Sequence, residues 1–276
     1  MTDQATLTDE DRALKAKHKT MWALGDYPAV AAEIIPDLGP VLVEACGITA
    51  GDTVIDVAAG SGNAAIPAAL AGADVIASDL VPDLLDAGRA VAAQRGATLR
   101  WEEADAEALP FGDGQADHVI SCVGVMFAPH HQPAADELVR ICRPGGTIGL
   151  IAWTPDGFIG ELFATMKPFA PPPPAGVQPP PLWGSEDHVR ELLGDRVTNV
   201  RAERRTVAVP GFTERGDFRR YFSARYGPTI AVYSSLADDP ERTAALDEAL
   251  DDLAARHGEG SRTMQWEYLL LTATRV

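Results

Sequence analysis

Val54-Ile55-Asp56-Val57-Ala58-Ala59-Gly60-Ser61-Gly62-Asn63 is the stretch on which the reading of this chain turns. A β-rich run passes into a glycine turn, and an alanine-rich helical segment follows (Ala64, Ala65, Ile66, Ala68, Ala69, Leu70). Glycine suits such a turn because it admits positive φ and lets a ligand approach the backbone closely. The start of the helix offers N–H donors and a positive dipole end, a match for a carboxylate or phosphate. Seventeen residues beyond Gly62, Asp79 closes a second β-rich run, Asp74–Ser78. An acid there can accept both hydroxyls of a ribose in a doubly wound sheet. Strand, turn, helix, strand and acid together predict an adenosine-containing ligand at one edge of a parallel sheet.

The same alternation extends outward. Candidate strands are Thr53–Ala58, Asp74–Ser78, Thr98–Trp101, Asp117–Val123 and Thr147–Ala152, with helical patterns between them. In residues 134–142 the apolar positions Ala134, Ala135, Leu138, Ile141 and Cys142 share one helical face. Arg143-Pro144-Gly145-Gly146 ends that helix, since proline disfavours helix before it and glycine permits the reversal. The following TIGLIAW is apolar almost throughout, as a central strand buried on both faces should be. Downstream lie a strand-like run at residues 199–209 and an aromatic segment carrying Phe218, Tyr221, Phe222, Tyr226 and Tyr233. A helix opens at Asp239-Pro240 and closes at Gly258, and WEYLLLTATRV makes a terminal strand. The expected fold is α/β: a Rossmann-like, seven-stranded, mostly parallel sheet with helices on both faces and a small lid. Its expected divisions are an N-terminal helical cap (1–45), a cofactor-binding core (46–153), a Pro/aromatic-rich insertion or lid (154–198), and C-terminal strands with a helical insertion (199–276). The lid reading rests on eight prolines between Pro168 and Pro181, flanked by Phe158, Phe163, Phe169 and Trp183.

Composition narrows the function. The chain has 276 residues, 40 acidic and 23 basic, for a net charge of −17. Nucleic-acid binding relies on Lys and Arg neutralising phosphates, so this balance argues against a nucleic-acid partner. A short basic cluster, Lys15, Lys17, His18 and Lys19, reads as one solvated face of an N-terminal helix. No run approaches a membrane span, and the N-terminus lacks the apolar centre of a secretory signal. Cys46, Cys122 and Cys142 are an odd count without metal-ligand spacing, which predicts reduced thiols in a cytoplasmic protein. Oligomeric state is not legible here.

The ligand's identity turns on charge. Gly60, Gly62 and Ala65 could satisfy a dinucleotide fingerprint. Asp56, however, stands two residues before Ala58, where it would repel a pyrophosphate and attract an ammonium. That favours a cofactor with an amino-acid end. A nicotinamide-dependent oxidoreductase is the alternative on the same turn, and a non-catalytic cofactor-binding protein is a third possibility.

Asp56-Val57-Ala58-Ala59-Gly60-Ser61-Gly62 resembles the first motif of class I S-adenosylmethionine-dependent methyltransferases. Glu103-Ala104-Asp105-Ala106-Glu107-Ala108-Leu109-Pro110-Phe111 resembles their adenine-cradling segment, and residues 116–122 their fourth strand. Glu137-Leu138-Val139-Arg140-Ile141-Cys142-Arg143-Pro144-Gly145-Gly146 is similar to their characteristic helix and turn. The likeness covers about residues 20–153 and is nearest the ubiquinone and menaquinone biosynthesis methyltransferases. One departure is Ala58, where the usual pattern has its first glycine.

The resemblance implies S-adenosylmethionine as cofactor and assigns roles position by position. Asp56 and the backbone of Ala58, Gly60, Ser61 and Gly62 hold the methionine end. Asp79 takes the ribose hydroxyls, with Leu80 against adenine. Ala104, Asp105 and Ala106 cradle the base: Asp105 accepts from its amino group, unless it is simply a turn residue, and Ala106 offers an N–H. Cys122 and Val123 line the sulfonium through backbone contact. Trp22 and Tyr27 fold over the cofactor, Tyr27 bonding its carboxylate, though core packing is an equal reading of Trp22.

The reaction so implied moves a methyl group to carbon or oxygen, with nitrogen open, of a small apolar or aromatic acceptor. Alignment and desolvation supply much of such a rate, and a general base helps where a proton must leave. His130 and His131 are the candidate bases, in the loop Met126-Phe127-Ala128-Pro129-His130-His131 after the fourth strand. The competing reading is two surface histidines before a helix. His18 and His188 are weaker candidates, and His118 begins a strand. No Asp/Asp/Asn arrangement suggests a catechol-type metal site, and no Pro-Pro-aromatic tetrad suggests an amino-methylating nucleic-acid enzyme.

Overall fold

A computed structural model describes residues 9–276. Its centre is one seven-stranded sheet: β1 (Thr53–Val57), β2 (Asp74–Asp79), β3 (Arg100–Glu103), β4 (Ala116–Cys122), β5 (Cys142–Trp153), β6 (Val197–Pro210) and β7 (Thr263–Arg275). The spatial order is β3-β2-β1-β4-β5-β7-β6. The first five strands run parallel, and β7 is antiparallel to both β5 and β6. The order reverses between β1 and β4, so the C-terminal ends of those neighbours part into a crevice, the place where such sheets hold ligands. Helices pack on both faces, and the sheet's Val54, Ile55, Val119, Ile120, Ile148 and Leu271 are buried.

The helices are α1 (Asp9–Trp22), α2 (Tyr27–Ile34), α3 (Leu38–Cys46), α4 (Ala65–Leu70), α5 (Pro82–Arg95) and α6 (His131–Ile141), followed by α7 (Phe158–Met166), α8 (Glu186–Leu193), α9 (Asp217–Arg225), α10 (Gly227–Ser235) and α11 (Pro240–Arg256). Local chemistry sets several ends. Asp26 caps α2 by accepting from the Ala29 amide at 3.1 Å, and Asp239 caps α11 through the Arg242 amide at 3.0 Å. Leu246, Leu250 and Leu253 bury the apolar face of α11. Helix α6 ends at Ile141 as its Arg-Pro-Gly-Gly sequel demands, but β5 begins at once at Cys142, which pairs with Ala116 across a register shift.

Two expectations need correction. The basic cluster of α1 is not a uniformly solvated face: Lys15 is buried, because two carboxylates below it compensate its charge. The alanine-rich helix is only six residues long, so its dipole is small and the preceding turn does most of the positioning. The proline run at residues 171–174 is exposed and irregular. Its segment is tied to the loop after β4 by the Gln178 amide donating to the Pro129 carbonyl at 3.0 Å. Cys46, Cys122 and Cys142 are buried and unpaired. Among the described residues no helix is long and apolar enough to cross a membrane.

Candidate active site

The glycine turn has the backbone its sequence implies. Gly60 lies at φ +55°, but Ala58 lies at φ +54°, a left-handed conformation held here by a residue with a Cβ. Ala58 stands where the related motif has a glycine, and it holds a positive φ. Its surroundings fix it: a Cβ on Gly124 would lie 2.0 Å from the Ala58 carbonyl oxygen, so the loop after β4 crosses directly over this turn. Ser121 clamps the crossing, its Oγ donating to the Val57 carbonyl at 2.6 Å and accepting from the Val125 amide at 2.8 Å.

Asp79 joins the turn to β2. Its Oδ2 accepts from the Gly60 amide at 2.8 Å and its Oδ1 from the Val81 amide at 2.9 Å. Burial pushes its pKa up, while the Val81, Gly60 and Leu80 amides oppose that rise. Each carboxylate oxygen keeps a further lone pair for a ligand. Asp56 is different. It is 1% exposed, neither of its oxygens has a hydrogen-bond partner, and burial raises its pKa to about 8, with the nearby Ala65 amide pulling the other way.

These groups border one open cleft. Ala58, Gly60 and Ser61 form one wall, and Asp79 and Leu80 the next. Ala104, Asp105 and Ala106 close one end, Cys122 and Val123 border the β4 side, and Trp22 and Tyr27 come from above. Two residues assigned from sequence are not on the cleft surface. Gly62 backs onto Trp101 and Ile66: a Cβ there would stand 2.8 Å from the Trp101 ring. Asp56 sits behind the wall, near enough to raise the pKa of the Cys122 thiol, though burial is the larger cause.

Neither candidate base reaches the cleft. His131 is fully buried, its Nδ1 2.9 Å from His188 Nε2 and its ring against Trp183, because the first turn of α6 points it beneath the surface. Burial, then His188 and His130, lower its pKa to about 4. His130 turns onto Glu107, which accepts from its amide at 2.8 Å and meets its Nδ1 at 3.0 Å. His18 does border the cleft, and burial lowers its pKa against the opposing pull of Glu107.

Lys15 was the part of the cleft's cover hidden in the sequence. Lys15, His18 and Trp22 fall on one face of α1, and all three border the cleft. Lys15 binds Asp105 and lies 2.7 Å from Glu107 Oε2, while Lys19 pairs with Glu103. Trp22 packs edge-on against Tyr27, Phe127 and Tyr226 at centroid distances of 5.3, 4.6 and 5.7 Å. Its packing and covering roles are therefore the same contact. No residue of the Pro-rich segment borders the cleft, so the cover comes from α1 instead. The helical spacing of Lys15, His18 and Trp22 was the available signal.

Asp105 is both a turn residue and a partner of Lys15. Its Oδ1 accepts from the Glu107 amide at 3.0 Å and its Oδ2 from Lys15. The acidic loop is held in turn by α6: Glu137 accepts from the Leu109 amide at 2.6 Å, and Arg140 donates to the Leu109 and Phe111 carbonyls. Among the described residues no cluster of three metal-ligating side chains exists.

Comparison with known proteins gives concordant results. Residues 54–146 match the family model described as "Methyltransferase domain". An uncharacterised protein of Mycobacterium tuberculosis, Rv1405c, is 52% identical over 96% of this chain and 97% of its own length. The demethylmenaquinone methyltransferase of Thermus thermophilus is 36% identical, over 37% of this chain and 47% of its own. Among solved structures, the YcgJ protein of Bacillus subtilis shares the fold with a TM-score of 0.59 at 13% identity, covering 86% of this chain and 97% of that one.

Proposed function

This chain belongs to the class I S-adenosylmethionine-dependent methyltransferases, and from that premise we propose that it binds S-adenosylmethionine in the cleft under α1 and methylates a small apolar metabolite. The observation that carries the reading is the charge of the cleft. Asp79 and Asp105 border it, Asp56 stands unpartnered behind it, and Lys15, the cation on its surface, is already paired with Asp105 and Glu107. A pyrophosphate finds no uncommitted counter-charge among these residues, whereas an ammonium and a sulfonium find carboxylates.

When bound, the cofactor supplies an electrophilic methyl group on a sulfonium. The chain's own residues do the rest. Asp79 receives the ribose hydroxyls while keeping the glycine turn in place. Asp56 balances the ammonium, and Ala104–Ala106 take the adenine end. Lys15 holds α1 down over the cleft, and Trp22 with Tyr27 keeps water from the side facing β4. Alignment and exclusion of water are then the main contributions to rate. We do not assign His130 or His131 as bases, since both are turned to other partners. The three unpaired thiols and the net charge of −17 support a cytoplasmic enzyme acting on small molecules.

Titration calorimetry with S-adenosylhomocysteine and with reduced nicotinamide dinucleotide tests the assignment. Binding of the first and not the second is expected. Tight binding of the dinucleotide alone would overturn it.

A further inference from the structure

One polar side chain on the cleft has no role so far. Asn63 follows Gly62 at the end of the glycine turn and borders the cleft with Tyr27, Ala31 and Cys122. Its Nδ2 donates to the Ile35 carbonyl at 3.2 Å and, more weakly, to Cys122 Sγ at 3.8 Å. The first contact settles which way the amide points, because an oxygen turned toward Ile35 would meet another carbonyl oxygen. Oδ1 is therefore the uncommitted end. Among the described residues no group donates to it, and it keeps accessible surface.

Asn63 belongs to a small cluster. Burial above all raises the pKa of the Cys122 thiol, the charge of Asp56 adds to the rise, and the Asn63 amide opposes it, so Asp56 and Asn63 both act on one group. Asp56 is 1% exposed and lacks a hydrogen-bond partner. It can supply charge to a ligand in the cleft, but no surface. Asn63 supplies what Asp56 lacks, an oxygen that a ligand can touch. Tyr27 has the opposite polarity. Burial, then Cys122 and Asp79, hold its phenol well above the ordinary range, so it stays protonated and can donate. This part of the cleft thus pairs an accepting oxygen, backed by a carboxyl group, with a donating hydroxyl.

Resting on the S-adenosylmethionine reading, we propose that Asn63 Oδ1 is the direct acceptor for the α-ammonium of the cofactor. With Asp56 behind it, Asn63 makes the cleft select a zwitterionic amino-acid tail over a tail that carries a carboxylate alone. An ammonium has three donors and no acceptor, so it needs oxygens within reach as well as a charge nearby. A hydrogen bond from a charged donor is roughly twice as strong as one between neutral groups. The Ile35 carbonyl and Cys122 restrain the amide before any ligand arrives, so little side-chain freedom is lost on binding. A phosphate or a lone carboxylate has no proton to give and gains nothing from an acceptor at this position.

The test is titration calorimetry on the full chain with three ligands that differ only in the tail. They are S-adenosylhomocysteine, its deamino analogue with hydrogen in place of the ammonium, and 5′-methylthioadenosine, which has no amino-acid tail. Two substitutions of nearly unchanged size are compared. Both lose the amide's donor to Ile35, but Asn63→Asp keeps an oxygen for the ammonium and Asn63→Leu does not. Asn63→Leu should weaken S-adenosylhomocysteine by about tenfold or more and leave the other two ligands within about twofold of wild type. Binding of 5′-methylthioadenosine shows that each variant is folded. Asn63→Asp should prefer S-adenosylhomocysteine over the deamino analogue at least as strongly as the wild type does. The proposal is overturned if Asn63→Leu leaves S-adenosylhomocysteine unmoved or weakens it and the deamino analogue alike. It is equally overturned if the preference in Asn63→Asp falls below the wild-type value, a result that decides alone should the Leu variant not fold. Failure of S-adenosylhomocysteine to bind the wild type would instead overturn the cofactor reading, so the two failures are separable.

Discussion

Asp56 keeps its proton in the folded protein to about pH 8, whereas an unfolded aspartate gives it up near 3.8. Between those values the folded state binds the extra proton, so this group's contribution to stability is complete below about pH 4. It is lost as pH rises through about 8. An arriving ammonium stabilises the ionised form. Binding of S-adenosylhomocysteine near pH 7 should therefore release a proton, visible as calorimetric heats that vary with buffer ionisation enthalpy. Asp56→Asn should abolish that dependence, and an unchanged dependence would remove Asp56 from the ammonium site. Asp79→Ala should act twice. The cofactor loses its ribose acceptor, and the Gly60 and Val81 amides lose theirs, costing about 1–3 kcal/mol of stability by denaturant unfolding. Ala58→Gly should raise stability by up to about 1 kcal/mol, since the left-handed backbone at φ +54° suits glycine and its added chain entropy offsets only part of the gain. At this scale the sequence was most legible where spacing itself is the chemistry, in Asp79 and the glycine turn. It misled at His131, whose orientation depends on which face of α6 meets Trp183 and His188.

Among the elements, the parallel strands and their helices were readable because each carries its own periodicity and its own stop. Helix α1 was not. Its mean composition is polar, and a lysine within a charged run ordinarily faces water. Only the acids of residues 103–107, about ninety positions later, show why Lys15 is buried. Removing that charge should leave two largely buried carboxylates without their cation, at a cost of about 3 kcal/mol. Lys15→Met should accordingly loosen α1 before anything else. Hydrogen exchange by mass spectrometry would then show faster exchange in residues 9–22 with the β1–β4 amides unchanged. Uniformly faster exchange throughout would mean that α1 is not a separable cover. Of the aromatics flanking the Pro-rich segment, Phe158 and Trp183 pack on the core around Trp266 and His131, while Phe163 lies 6.1 Å from the ring of Phe127, which borders the cleft.

For the molecule as a whole, a ligand that binds only the folded cleft must stabilise the entire chain. S-adenosylhomocysteine at a hundred times its dissociation constant should add about 2.7 kcal/mol, read as a rise in Tm, while adenine dinucleotides should add none. Sheet order could be anticipated from the alternation of elements, but the pairing of α1 with the acidic loop could not. Lys15, Asp105, Glu107 and His130 come from three distant stretches, and only tertiary packing makes them neighbours. The same packing gives Glu107 an unusual position. One carboxylate clasps Lys15 of the roof and both the amide and the ring of His130 at the far end of the β4 loop. Lifting α1 from the cleft would break the contact of Glu107 with Lys15 and leave its two contacts with His130 in place. One side chain thus ties the helix above the cleft to the loop along its β4 side.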